Sequence, residues 1–307
     1  MTRPLLALTI LFLSLSALAS EQPSLTPCPA PWNCEVTPFI LKTDGVVFIR
    51  NGYLEENQNV PFNGNIIFYE GLGDSMVNHQ PLFQKLTDAG YRVIAFDYMG
   101  QGGSSGSMDD TRILEIGKLG NKIWNLHARD LTNFPKKTIL GWSTGGLAAY
   151  TQAALEGDVD TVVLIAPGIS PKYFVGEQHP LRGEIDLITI PTLTTQIYGE
   201  GILDPHIDPI KPDSPVKIPC FSIDLALTAK MMRSTPMSRR MKGFVLLSGN
   251  KDTYVDAKET RRILRRTAPH FSLKQYHGAL HEIDNEAEPI SSMAHQDILN
   301  FLAQSDR

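Results

Sequence analysis

The sequence predicts an α/β architecture, a mostly parallel central sheet with helices on both faces. Three observations carry that prediction. Short apolar, β-branched runs alternate with helical stretches of about ten or more residues along most of the chain, the pattern of strands joined by crossover helices. The strand runs are continuously apolar rather than alternating, as strands buried on both faces require. One strand runs through a Gly-x-Ser-x-Gly turn straight into a helix of small residues.

Taken in order, the first strands are 45–50 (Gly-Val-Val-Phe-Ile-Arg) and 65–69 (Asn-Ile-Ile-Phe-Tyr), both bounded by turn residues. A helix over 81–89 leads to a strand at 91–96, and a second helix covers 111–131. Strand 137–140, helix 145–155 and strand 161–165 follow. After residue 241 the alternation resumes with strand 244–247, helix 257–266, strand 271–276 and helix 290–302. Between 167 and 241 the rhythm breaks in a proline-bearing stretch without regular strand–helix units. That stretch reads as an insertion over one edge of the sheet, between the sixth and seventh predicted strands, rather than an independent domain.

Composition narrows the function classes. The chain has 307 residues, 42% of them apolar and 20% charged, with a formal net charge of −5. That balance belongs to ordinary globular proteins. It offers no basic face for nucleic acid. Residues 1–19 read as a secretory signal peptide: Arg3 supplies the positive start, an apolar run follows to Leu18, and Ala17 and Ala19 are the small residues of a cleavage site. A proline-rich leader over 20–44 and a main domain over 45–303 complete the expected organisation. Export allows Cys28 and Cys34 to form a small disulfide, while Cys220 reads as a buried thiol. Whether the destination is a periplasm or the outside, and which oligomer forms, the sequence leaves open.

The chemistry concentrates at Gly141-Trp142-Ser143-Thr144-Gly145. A serine on so sharp a strand-to-helix turn needs small residues two before and two after it, and its hydroxyl emerges at a helix N-terminus that favours negative charge. Ser143 is therefore the candidate nucleophile. A serine hydroxyl needs a base. His281, in the loop after the last strand, fits the chain order Ser, Asp, His, with His277 as its rival. Asp252, just past strand 244–247, is the candidate acid that orients the imidazole. Asp256 is the alternative acid, although it reads better as a helix N-cap. The Gly71-Leu72-Gly73 turn after strand 65–69 can present an unhindered backbone N–H, so Leu72 and Thr144 are the expected oxyanion-hole pair. The remaining histidines (His79, His127, His179, His206, His270 and His295) read as surface or core residues. Asp204-Pro-His-Ile-Asp208 reads as an exposed loop rather than a metal cluster, and 261–266 as a solvated helix face.

These segments together resemble the monoacylglycerol lipase and lysophospholipase group of α/β-hydrolases, which also includes serine aminopeptidases. The resemblance rests on Glu70-Gly-Leu-Gly-Asp74, on 81–106, on the elbow at 141–146, on Gly249-Asn-Lys-Asp252 and on Gly278-Ala-Leu-His-Glu282. It implies an α/β-hydrolase fold with 167–241 as a cap over an acyl pocket. It further implies triad roles for Ser143, Asp252 and His281, oxyanion roles for Leu72 and Thr144, and no cofactor or metal. The expected partner is a small-molecule or lipid ester, with transient membrane-surface contact through the cap. Three segments depart from the group's pattern. Glu70 stands where the group has histidine, Met99-Gly-Gln-Gly102 where it has Arg-Gly-His-Gly, and Trp142 where histidine is common. A serine aminopeptidase is the competing reading, with Glu177, Glu184, Asp186 and Glu200 as candidates to bind a free amine. A hydrolase-fold binding protein without catalysis is the other.

Overall fold

In the computed structural model, the structure describes residues 28–40, 45–172, 184–185 and 216–305. Ten strands and six α-helices lie within them. The main sheet has eight strands in the order β1 (Asn33–Ile40), β2 (Val46–Leu54), β4 (Tyr91–Phe96), β3 (Gly64–Tyr69), β5 (Thr138–Trp142), β6 (Thr161–Ile165), β9 (Lys242–Leu247), β10 (Ser272–Gln275). From β4 to β10 every neighbour is parallel; β2 runs antiparallel to β4, and β1 antiparallel to β2. The fold class expected from the sequence is the one observed.

Alternation along each strand divides the core into two layers. Ile67, Tyr69, Ile94, Phe96, Ile139, Val162 and Leu164 face α2 (Ile113–His127), α3 (Ser143–Leu155) and α5 (Ala257–Thr267). Ile66, Phe68, Val93, Ala95, Leu140, Val163 and Ile165 face α1 (Gln80–Asp88) and α6 (Ile290–Ser305). Apolar area is thus withdrawn from water on both sides of the sheet, at about 25 cal/mol per Å².

Three elements differ from the sequence reading. β1 occupies the stretch read as a proline-rich leader, where Pro38 is accepted because an edge strand leaves one row of backbone groups unpaired. The disulfide Cys28–Cys34 ties the start of this strand to the segment before it. The insertion is more regular than its prolines suggest. It contains a short antiparallel pair, β7 (Glu184–Ile185) with β8 (Val216–Lys217), and a helix, α4 (Pro219–Met232). Finally, Cys220 is exposed rather than buried. The inner face of α4 carries Phe221, Thr228, Ala229 and Met232, which leaves position 220 on the outer side of the first turn.

The segment 1–19, Asp204–Asp208, and Glu177, Asp186 and Glu200 lie outside the described residues. Among the described residues, no helix is long and apolar enough to cross a membrane.

Candidate active site

β3 is flanked by β4 on one side and β5 on the other, so the order of connection reverses between β3 and β5. In open α/β sheets, ligand sites lie beyond the carboxyl ends of the strands at such a switch point. The turn 70–73 follows β3, Ser143 follows β5, Asp252 follows β9 and His281 follows β10. All four lead off the carboxyl edge of parallel strands.

Ser143 takes φ = 52°, a left-handed conformation rare for a residue with a side chain. The neighbours explain how the turn tolerates it. A Cβ at Gly141 would come within 2.5 Å of Gly145 O, and one at Gly145 within 2.0 Å of Tyr69 O. Only glycine lets β3, β5 and α3 converge here, and Gly168 N–H fixes the elbow further by donating to Ser143 O at 2.8 Å.

His281 Nε2 lies 2.6 Å from Ser143 Oγ, and His281 Nδ1 lies 2.9 Å from Asp252 Oδ2. The three residues that sequence order singled out are therefore in continuous contact. Asp252 is itself held. Tyr254 N–H and Val255 N–H donate to Oδ1 at 2.8 and 3.0 Å, and the Ser248 hydroxyl donates to Oδ2. Burial alone would raise its pKa, but the His281 ring, the Ser248 hydroxyl and Val255 N–H outweigh burial and hold the carboxyl below its ordinary value. His277 is exposed, away from this line of contacts. Asp256 caps α5 through Glu259 N–H at 2.9 Å.

On the other side of the serine, the turn 70–73 is bound to the loop after β4. Gln101 donates from Nε2 to Glu70 Oε1 at 2.6 Å and to Gly71 O at 3.2 Å, and its Oε1 accepts from Gly73 N–H at 2.8 Å. Glu70 Oε1 also accepts from Tyr98 N–H at 2.8 Å. Burial, then the nearby Asp97 and Asp74 carboxylates, raise the Glu70 pKa well above the usual carboxylate range. Leu72 N–H makes no hydrogen bond among the described residues, and Thr144 N–H begins α3, whose first-turn donors have no partner within the helix. Both expected oxyanion donors thus sit on the elements that border Ser143.

Sequence reading left two supporting groups unassigned. Trp142, the residue before the serine, donates from Nε1 to His281 O at 3.2 Å, and its ring lies 5.5 Å from the His281 ring. His79, read as a surface or core residue, is fully buried between Asp284 (2.6 Å from Nδ1) and Asp74 (2.9 Å from Nε2). It joins the loop after β3 to the turn that follows His281. Burial opposes a charged imidazole there, but Asp284 and then Asp74 outweigh it and hold the His79 pKa well above its ordinary value. A partial signal existed for His79, since it ends the same loop that begins with the Gly71 turn. Among the described residues, no group of three or more histidines, cysteines or carboxylates could hold a metal ion.

The sheet order, the elbow and the loop order match one fold. A family model for the alpha/beta hydrolase fold matches residues 64–187. The chain has the α/β-hydrolase fold. Solved structures share this fold along most of the chain's length. A monoacylglycerol lipase from Paleococcus ferrophilus superposes with a TM-score of 0.66 at 19% identity, over 84% of this chain and 99% of that one. A soluble variant of monoglyceride lipase from Saccharomyces cerevisiae, in complex with a substrate analogue, gives 0.69 at 17% identity, over 90% and 99%. A thermostable carboxyl esterase from Bacillus coagulans, in complex with glycerol, gives 0.65 at 16% identity, over 89% and 99%.

Proposed function

We propose that this α/β-hydrolase is an exported serine esterase that cleaves carboxylic esters of the monoacylglycerol or lysophospholipid kind through an acyl-enzyme. The observation that carries the reading is the hydrogen-bonded chain Ser143 Oγ, His281 and Asp252, with 2.6 and 2.9 Å links. In the first step His281 Nε2 takes the Ser143 proton as Oγ bonds to the ester carbonyl carbon, and the carbonyl oxygen becomes an oxyanion against the Leu72 and Thr144 N–H groups. The tetrahedral species then expels the alcohol, which leaves with the proton held on His281. Water repeats the sequence on the acyl-Ser143 ester, releasing the acid and regenerating the hydroxyl. Asp252 stays ionised throughout and stabilises the imidazolium. The fold resemblance to monoacylglycerol lipases and a carboxyl esterase supports the ester class. Export is supported by the signal-like segment 1–19 and by the Cys28–Cys34 disulfide, which belongs to an oxidising compartment.

A fluorophosphonate probe and a series of p-nitrophenyl esters of rising chain length, run beside a monoacylglycerol, a lysophosphatidylcholine and a prolyl anilide, test the reading. Labelling of Ser143 and ester turnover that Ser143→Ala abolishes are the expected results. Anilide cleavage without ester cleavage would transfer the protein to the aminopeptidase class. An unchanged rate in Ser143→Ala would remove Ser143 from the mechanism.

A further inference from the structure

Two of the four positions where this chain departs from the lipase group's motifs, Glu70 and Gln101, are separated by 31 residues in sequence and in direct contact in the fold, at 2.6 Å. They form one unit. Gln101 is 1% exposed and Glu70 fully buried, so neither side chain is there for solvent. The Gln101 carboxamide uses both amide protons and its oxygen on the turn 70–73: Nε2 donates to Glu70 Oε1 and Gly71 O, and Oε1 accepts from Gly73 N–H.

The Gly71 contact has a specific consequence. The Gly71 carbonyl and the Leu72 N–H belong to the same peptide unit, which is planar and trans, so they point in opposite directions. Drawing Gly71 O towards Gln101 aims Leu72 N–H the other way. Gly73 N–H, in the next peptide unit, is pinned by the same side chain, so the backbone is fixed on both sides of Leu72. Gly73 itself has φ = 77°, a left-handed conformation that glycine adopts without steric cost.

Gln101 is itself held firmly. Gly100 and Gly102, with φ of 70° and 46°, flank it. A Cβ on Gly102 would meet the Asp97 carboxyl at 2.4 Å, and one on Gly100 would meet Met108 N at 2.3 Å. Asp97 accepts from Met76 N–H at 2.8 Å and Gly103 N–H at 2.7 Å, and is paired with Arg50.

We infer that Gln101, oriented by Glu70, is a positioning residue that aims the Leu72 N–H at the substrate oxyanion. The inference rests on the serine-esterase reading above. It requires Gln101 to act on the transition state and not on ground-state binding, because the donor it aims gains most as charge develops on the oxygen.

The test uses the full chain with Gln101→Met, which keeps length and removes all three bonds, and Gln101→Glu, which keeps the acceptor for Gly73 N–H and loses the donor to Gly71 O. Turnover of p-nitrophenyl butyrate is normalised to active sites counted by fluorophosphonate labelling. Losing an entire oxyanion donor costs about 10²–10³ in kcat, so a donor left present but unaimed should lose part of that, on the order of 10- to 100-fold, with KM changed by less than about 3-fold. Affinity for an alkyl trifluoromethyl ketone, whose serine adduct carries the oxyanion, should fall by the same factor as kcat/KM. A kcat per active site within about 2-fold of the parent in both variants overturns the inference, even if the melting temperature falls, because the bonds would then serve the fold alone. Ser143→Ala, run in parallel, separates the two claims. If it abolishes turnover while the Gln101 variants keep theirs, only the positioning role is lost; if it does not, the esterase reading fails and the inference with it.

Discussion

The indole N–H of Trp142 donates to the backbone oxygen of His281 at 3.2 Å, so the residue before the serine holds the residue that faces it. The two lie 139 positions apart and are joined only through the folded sheet. Trp142 is also what makes glycine necessary at position 71, where a Cβ would sit 2.3 Å from the indole ring. One aromatic side chain therefore spaces the serine elbow, the turn 70–73 and the histidine loop.

Trp142→Phe keeps a ring in this position and removes the donor. A neutral hydrogen bond is worth about 0.5–1.5 kcal/mol, so kcat should fall about 2- to 10-fold if the bond steadies His281. Steady-state kinetics with a p-nitrophenyl ester give the answer. A kcat equal to the parent's would show that the His281 loop is held without it.

Asp252→Asn preserves the size of the side chain and changes what it tells the imidazole. As carboxylate, Asp252 accepts from His281 Nδ1; an amide nitrogen turned to that ring favours the wrong tautomer. In serine proteases with the same constellation the matching change lowers kcat by about 10⁴-fold. A similar loss is expected here, with the protein still folded by circular dichroism. Retention of more than about a tenth of the parent rate would point to Asp256 or another acid.

The Asp74–His79–Asp284 bridge makes a prediction about stability and pH. A histidine whose pKa is raised on folding contributes its full stabilisation below the unfolded value of about 6.5, and that contribution is lost as pH rises through the folded value. His79 is raised, so the parent should exceed His79→Gln by the largest margin near pH 6, and the margin should shrink as the pH is made alkaline. Breaking a buried pair from one side costs about 3–5 kcal/mol at its maximum. Urea melts of both proteins between pH 6 and 9 measure the margin, and one that widens with pH would contradict a charged His79.

The cysteines give a chemical count. Cys28 and Cys34 are bonded and Cys220 is exposed, so the native protein should release one equivalent of thionitrobenzoate with an aromatic disulfide reagent, and three after reduction in denaturant. Closing so short a loop restrains the unfolded chain by about 2 kcal/mol, so reduction should lower the melting temperature. Three reactive thiols in the untreated, denatured protein would mean that the pair is not oxidised.

The fold class, and the candidates Ser143, Asp252 and His281 that the fold brings into contact, were legible in the sequence for a local reason. Steric demands at the elbow act within five residues, Ser143 and Asp252 each follow a strand whose apolar run marks its own end, and His281 follows the last strand. The same locality explains what was not legible. β1 was hidden because Pro38 argues against a strand unless the strand lies at an edge, and only the sheet order decides which strand that is. α4 was hidden because Ile223, Leu227 and Met231 are exposed while Phe221, Ala229 and Met232 are buried. A helix apolar on both faces shows no amphipathic period. The Gln101–Glu70 unit and the Asp74–His79–Asp284 bridge lie further out of reach. Their partners are up to 205 residues apart, and each residue alone is an ordinary polar side chain. Sequence set the strand runs and the strained serine turn, because backbone sterics and hydrophobicity are properties of neighbouring residues. Tertiary structure alone decided which buried polar groups meet, because a hydrogen bond depends on where the chain returns.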